Sequence, residues 1–173
     1  MKDKIAGEKT SLNARQSLWP NYSPPEDLVF THGIGSELFS KDGDSYLDFL
    51  SGIAVTSFGH SHPYLNNALK SQADKLWHVS NLFRIPAAES LAERLVKHSF
   101  ADSVFFANSG AEAVEAGLKA IRGYHAASGN PKRTRIIGFS DSLHGRTMAT
   151  ISATGSSKVH QGFKPLLSGF KHI

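Results

Sequence analysis

Two short polar segments carry the residue types from which a chemical site could be built. The first is the turn Asn108-Ser109-Gly110-Ala111, lying between an apolar run, Val104–Ala107, and a long helical pattern. A turn in that place opens a helix, where the first backbone N–H groups have no intrahelical partner and the helix dipole is positive. Such an end attracts anions, phosphate above all. Gly110 lets an anion approach the backbone closely, the N–H groups of Gly110 and Ala111 point at it, and the Ser109 hydroxyl adds a donor. The same letters also meet a simpler need, because Ser109-x-x-Glu112 is a capping box. The two readings are compatible, since a cap does not use every free donor.

The second segment is His144-Gly145-Arg146-Thr147, which follows a β-prone run at Arg135–Phe139 after the short loop Ser140–Leu143. In a parallel sheet it lies at the carboxyl edge of a strand, the edge on which such sheets bind ligands and the edge expected for the Ser109 turn. A histidine there can stack on a ring, and an arginine can pair with a carboxylate. Taken singly, the segment is equally a surface turn with an arginine at a helix start; two such turns on one edge favour a binding site. A third candidate, Gly59-His60-Ser61-His62-Pro63, has the H-x-H spacing of a chelate. Without cysteine or a nearby carboxylate cluster it reads instead as a tight turn opening a helix, and no metal is expected. Trp77–Phe83 is an aromatic-rich helix exit expected to pack into a core. No G-x-x-x-x-G-K-[ST] or G-x-G-x-x-G occurs, and Gly33-Ile34-Gly35 lacks the third glycine.

The elements that must position these segments are legible from periodicity. Residues 1–27 hold three of the seven prolines and read as an arm, partly helical around Ser11–Leu18. Short β-prone pieces follow, with Lys41-Asp42-Gly43-Asp44 as a hairpin turn between Ser36–Ser40 and Ser45–Phe49. One helix is expected from Pro63, with Leu65, Ala68, Leu69, Ala73 and Leu76 on one face, and another from Pro86, with Leu91, Leu95 and Val96. Then come a strand at Val104–Ala107, a helix with the stripe Ala111, Val114, Leu118 and Ile121, a strand at Arg135–Phe139, and a helix from Arg146 to about Ala153. This alternation predicts an α/β fold with parallel strands. Residues 1–60 form an N-terminal arm and small β meander, and residues 61–173 the first part of a larger α/β domain. Two parallel strands are few for a sheet that needs both faces covered, so the domain is expected to be incomplete.

Composition narrows the function classes. The chain has 173 residues, no cysteine and a formal net charge of +4, so disulfide frameworks and thiolate zinc sites are excluded. The one basic cluster, Lys132, Arg133 and Arg135, sits beside a Gly-Asn-Pro turn and reads as a solvated loop, so no nucleic-acid partner is expected. No signal-peptide pattern or bilayer-length apolar run is present, and a cytoplasmic protein without a membrane partner is expected.

Asn108-Ser-Gly-Ala-Glu-Ala-Val-Glu-Ala, His144-Gly-Arg-Thr, Gly52-Ile-Ala-Val and Gly59-His-Ser-His-Pro, in this order and spacing, resemble class-III pyridoxal-phosphate aminotransferases, and among them the acetylornithine type. The resemblance runs from about Asn21 to Ile173. It implies fold type I, pyridoxal 5'-phosphate as cofactor, a homodimer with active sites at its interface, and transfer of a terminal amino group to 2-oxoglutarate in arginine biosynthesis. By the same resemblance Ser109, Gly110 and Ala111 match the cofactor-phosphate cup. Leu143 and His144 match the segment beside the pyridine ring, and Arg146 matches the arginine that holds the substrate's α-carboxylate. Leu143 stands where the family has Phe or Tyr, and Thr56 where it commonly has Asn. The Schiff-base lysine and the acidic partner of the pyridine nitrogen lie, in the family, beyond the last residue of this sequence; none of its twelve lysines has that context. The resemblance therefore implies an N-terminal portion that turns over only with a complementing C-terminal half. Its alternative is a non-catalytic remnant or interaction subunit. Alone, such a portion is expected to expose apolar surface and to aggregate or need a partner.

Overall fold

The computed structural model describes residues 18–173; the helix expected near Ser11 lies outside the described residues, apart from its last position. The chain divides into two compact units, one ending at Phe83 and the other beginning at Arg84.

The first unit is a three-stranded antiparallel meander followed by two turns and a helix. β1 (Phe30–Ile34), β2 (Glu37–Ser40) and β3 (Ser45–Leu47) lie in the order β1-β2-β3. The Asp42-Gly43 turn joins β2 to β3 as its residue types predict, with Gly43 at φ 92°, and Ser40 Oγ accepts from the N–H groups of Asp42 and Asp44. β3 leads into α1 (Ser51–Ala54), a single turn whose residues carry φ values of 50°, 61°, 66° and 62°. That is a left-handed turn, and only one of its four residues is glycine. α2 (Pro63–Ala73) begins at its proline, as expected.

The second unit contains α3 (Pro86–Lys97), α4 (Gly110–Ala127), β4 (Ile136–Gly138), α5 (Met148–Ala153), α6 (Ser157–His160) and β5 (Phe170–His172). Periodicity located all three long helices correctly. β4 pairs with β5 in parallel, Ile136 opposite Phe170 and Gly138 opposite His172. Two expectations are corrected here. Val104–Ala107 forms no strand: the sheet of this unit consists of β4 and β5, so the apolar run has no ladder to join among the described residues. The second parallel strand is instead Phe170–His172, where three residues give too short a pattern to read.

The described core sits at α5. Thr150, Ile151, Ser152, Ala153 and Thr154 are all buried, a mostly small and polar set that is held by hydrogen bonds. Ser152 Oγ donates to Met148 O at 2.7 Å and accepts from Leu167 N at 2.9 Å. His160 Nε2 faces Ile151 O and Thr154 O, both at 2.9 Å, and His172 Nε2 faces Ala153 O at 2.9 Å. A carbonyl only accepts, so both rings donate from Nε2 and cap the carbonyl end of the helix. Of the expected apolar stripes, Leu65, Leu69, Leu91, Leu95 and Ile121 are exposed, while Val96, Ala111, Val114 and Leu118 are half-buried. Trp77, Leu82 and Phe83 are exposed too, against the expectation of core packing, because no described element covers them.

Candidate functional site

The Ser109 turn has the geometry of an open helix end. Ser109 adopts extended backbone as the N-cap of α4, and its Oγ accepts from Glu112 N at 3.2 Å. Glu112 departs from the capping-box pattern: its carboxylate accepts from Asn108 N at 2.7 Å, one residue before the cap. The cap therefore uses the Asn108 and Glu112 amides. The N–H groups of Gly110 and Ala111 have no acceptor among the described residues. Gly110 faces open space, with no heavy atom within 4 Å of where a Cβ would stand. Free donors, an accessible backbone and the positive end of an 18-residue helix suit a phosphate group.

The segment from His144 to Thr147 is held against that helix. Gly145 has φ 135°, and a Cβ on it would stand 2.8 Å from the Ala111 Cβ, so only glycine permits this approach. One helical turn further along α4, Glu115 Oε1 accepts from the Thr147 hydroxyl at 2.5 Å. Thr147 is also the N-cap of α5, in a capping box whose far member is Thr150: Thr147 Oγ1 accepts from Thr150 N at 3.2 Å, and Thr147 N donates to Thr150 Oγ1 at 2.9 Å. α5 consequently begins at Met148, two residues after the start predicted from sequence, and Arg146 lies before the helix. His144 N donates to Thr154 Oγ1 at 3.0 Å, which fixes the segment from the other side.

Between these attachments the side chains of interest are unengaged. Arg146 is exposed and has no hydrogen bond or ion pair with any described residue. The His144 ring is half-buried without a hydrogen-bonded partner, and Leu143 is exposed. The structure thus brings Ala111 and Gly145 into contact and ties Arg146's neighbour to α4. Sequence reasoning missed Glu115, Thr150 and Thr154, and quoted Thr147 without giving it a role. The available signals were the spacing of Ala111 and Glu115 on one helical face and Thr-x-x-Thr as a weaker relative of the capping box.

The His60 segment, in the first unit, is a knot. His60 Nε2 lies 2.7 Å from Asp48 Oδ2, while Asp48 Oδ1 accepts from Leu50 N at 3.0 Å and Ser51 N at 2.8 Å. The Asp48 side chain is only 6% exposed. The hydrogen bond from His60, then that from the Ser51 amide, hold its carboxyl below the ordinary carboxylate range. His60 also exchanges backbone hydrogen bonds with Gly35, and the adjoining polar cavity, about 80 Å³, accommodates a few waters rather than a cofactor. No cluster of three or more potential metal ligands occurs among the described residues, and no described helix is long and apolar enough to cross a membrane.

Comparison with known proteins agrees with the motifs. The aminotransferase class-III family model matches residues 20–173. The acetylornithine aminotransferase of Brucella melitensis is 53% identical over 146 residues, which cover 84% of this chain and 36% of that protein. An acetylornithine/succinyldiaminopimelate aminotransferase of Photorhabdus laumondii is 43% identical over all 173 residues, 42% of its own length. Among solved structures, the ornithine aminotransferase of Toxoplasma gondii, crystallised with partial occupancy of PLP at its active site, superposes with a TM-score of 0.84 at 29% identity, over 92% of this chain and 38% of that one. The chain spans about two-fifths of the length of these proteins or less. Its α/β architecture is a segment of the fold they share. The chain belongs to the class-III aminotransferase family.

Proposed function

We propose that this chain supplies the cofactor-phosphate and substrate-carboxylate part of a pyridoxal 5'-phosphate-dependent aminotransferase. The enzyme moves a terminal amino group from an acetylornithine-like donor to 2-oxoglutarate, in arginine biosynthesis, as a cytoplasmic homodimer. One observation carries the reading: an open helix end with two free N–H donors is joined, through Ala111–Gly145 and Glu115–Thr147, to a segment bearing an unpaired arginine. The donor set fits the group, because a phosphate needs backbone N–H and hydroxyl donors and no cation of its own.

In this reading Gly110 and Ala111 hold the phosphate by their N–H groups and Ser109 by its hydroxyl. Leu143 covers one side of the pyridine ring without a π-face, and His144 lies beside it. When bound, the cofactor supplies the electron sink for moving the amino group. Arg146 grips the donor's α-carboxylate with its guanidinium fork, which presents the distal amine to the reacting centre.

The test is a chimera in which residues 20–173 replace the matching segment of the Brucella melitensis enzyme. It is expected to bind pyridoxal phosphate, with the visible absorption of a lysine-bound cofactor, and to prefer acetylornithine over 4-aminobutyrate. Arg146→Ala is expected to raise KM for acetylornithine about 10- to 100-fold, the loss of one charge-assisted pair, with cofactor absorption retained. A chimera that folds but takes up no cofactor would sink the proposal.

A further inference from the structure

Arg146 faces a problem of aim. Its side chain is exposed and makes no hydrogen bond or ion pair with any described residue, so whatever precision it has comes from its backbone. A group that must orient a substrate gains from having its own base fixed, since displacement by about 1 Å can cost two orders of magnitude in rate. The backbone on either side of Arg146 is fixed by one helix face. Before it, Gly145 is pressed on Ala111; after it, the Thr147 hydroxyl donates to the Glu115 carboxylate at 2.5 Å, the length of a strong O–H···O⁻ bond.

We propose that Glu115 is a positioning residue that aims Arg146 through the Thr147 hydroxyl and so determines recognition of the donor's α-carboxylate. This rests on the reading of Arg146 given above. Three observations separate this role from plain helix stabilisation. First, the α5 cap does not need Glu115: without it the Thr147 hydroxyl can turn to Thr150 Oγ1, 2.9 Å away, while the oxygen still accepts from Thr150 N. Second, Glu115 forms no ion pair with Arg146, so it binds the neighbour and leaves the cation for a ligand. Third, the other acid at this end of α4, Glu112, is engaged with Asn108 N, and the two carboxylates divide the work: Glu112 shapes the turn and Glu115 holds the second segment. One helix thereby sets the distance between the phosphate grip and the carboxylate grip, the interval that a donor of given length must span.

The test uses the same chimera and two donors that differ only in the α-carboxylate, acetylornithine and N-acetylputrescine. Glu115→Ala and Thr147→Val are each expected to raise KM for acetylornithine about tenfold, leave N-acetylputrescine turnover and cofactor absorption unchanged, and speed hydrogen exchange at the Thr147 amide. Thr147→Ser, which keeps the hydroxyl, restores both the KM and the exchange rate. Adding Glu115→Ala to Arg146→Ala should cost nothing further, because the two act through one contact. If Arg146→Ala raises KM but Glu115→Ala and Thr147→Val do not, or if both donors suffer equally, the positioning role is wrong. If Arg146→Ala itself leaves KM unchanged, the carboxylate reading of Arg146 is what fails.

Discussion

The Ser51 turn and the Ser109 turn are both short and opened by a serine, yet they use their backbone donors differently. At Ser51 the N–H groups of Leu50 and Ser51 go to Asp48, and those of Ile53, Ala54, Val55 and Thr56 return to carbonyls of the same turn. Of this turn's N–H groups only that of Gly52 has no acceptor among the described residues, and the turn reaches that state by placing Ser51, Ile53 and Ala54 in left-handed backbone. At Ser109 the backbone is unstrained, the cap uses two donors, and two remain free. A turn that satisfies nearly all its own donors has little to offer a ligand; one that leaves two adjacent donors open at a helix end has the geometry to hold an anion.

The sharpest way to break this contrast is to add one methyl group to each turn region. Gly59 has φ 79°, and a Cβ there would stand 2.7 Å from Gly35 O, in the bridge that pins His60. Gly59→Ala is expected to cost about 1–3 kcal/mol, seen as loss of exchange protection at the Gly35 and His60 amides. Gly110→Ala meets no atom, so its effect on stability should stay within about 0.5 kcal/mol, while the added methyl weakens cofactor uptake by the chimera. Equal behaviour of the two variants would erase the distinction.

A change of opposite sign comes next. Ile53 is β-branched, exposed and at φ 66°. Ile53→Gly removes a left-handed penalty of about 1–2 kcal/mol, part of which is returned as entropy of the unfolded glycine. A net gain of about 0.5–1 kcal/mol is expected, and a lower thermal midpoint would show that the side chain matters more than the backbone.

The smallest effect is electrostatic. Asp48 is held below its ordinary value of 3.8, first by the His60 hydrogen bond and then by the Ser51 amide. A lowered carboxylate stabilises the fold at pH above that ordinary value, and the contribution is lost as pH falls through the folded pKa. Acid titration of the Asp48 carboxyl by NMR should give a midpoint under 3.8, and His60→Ala should move it upward; a midpoint at or above 3.8 contradicts the knot.

The long helices were legible because each begins with a local signal that acts alone: Pro63, Pro86 and Ser109 fix their starts without help from distant residues. β5 was not legible, because three residues become a strand only when β4 lies beside them. Val104–Ala107 failed for the converse reason, having strand-like letters and no described neighbour. For the site, Ser109, Gly110 and Arg146 could be picked out as chemistry. Glu115 was marked only by sharing a helical face with Ala111, and its role was hidden because its partner lies 32 residues away. The histidines that cap α5 were likewise invisible, since nothing in their local sequence marks them as donors to a helix.

That cap has a consequence for the order in which the protein is made. The carbonyl end of α5 receives its donors from His160 and from His172, the latter 19 residues downstream of its partner, and Ser152 accepts from the Leu167 amide. While the chain is being synthesised, His160 emerges first and can serve Ile151 O and Thr154 O, whereas Ala153 O waits for His172 in β5. The cap of the helix that follows Arg146 is therefore complete only once His172 is in place. A ribosome halted before His172 would present α5 with the Ala153 carbonyl still lacking its ring donor.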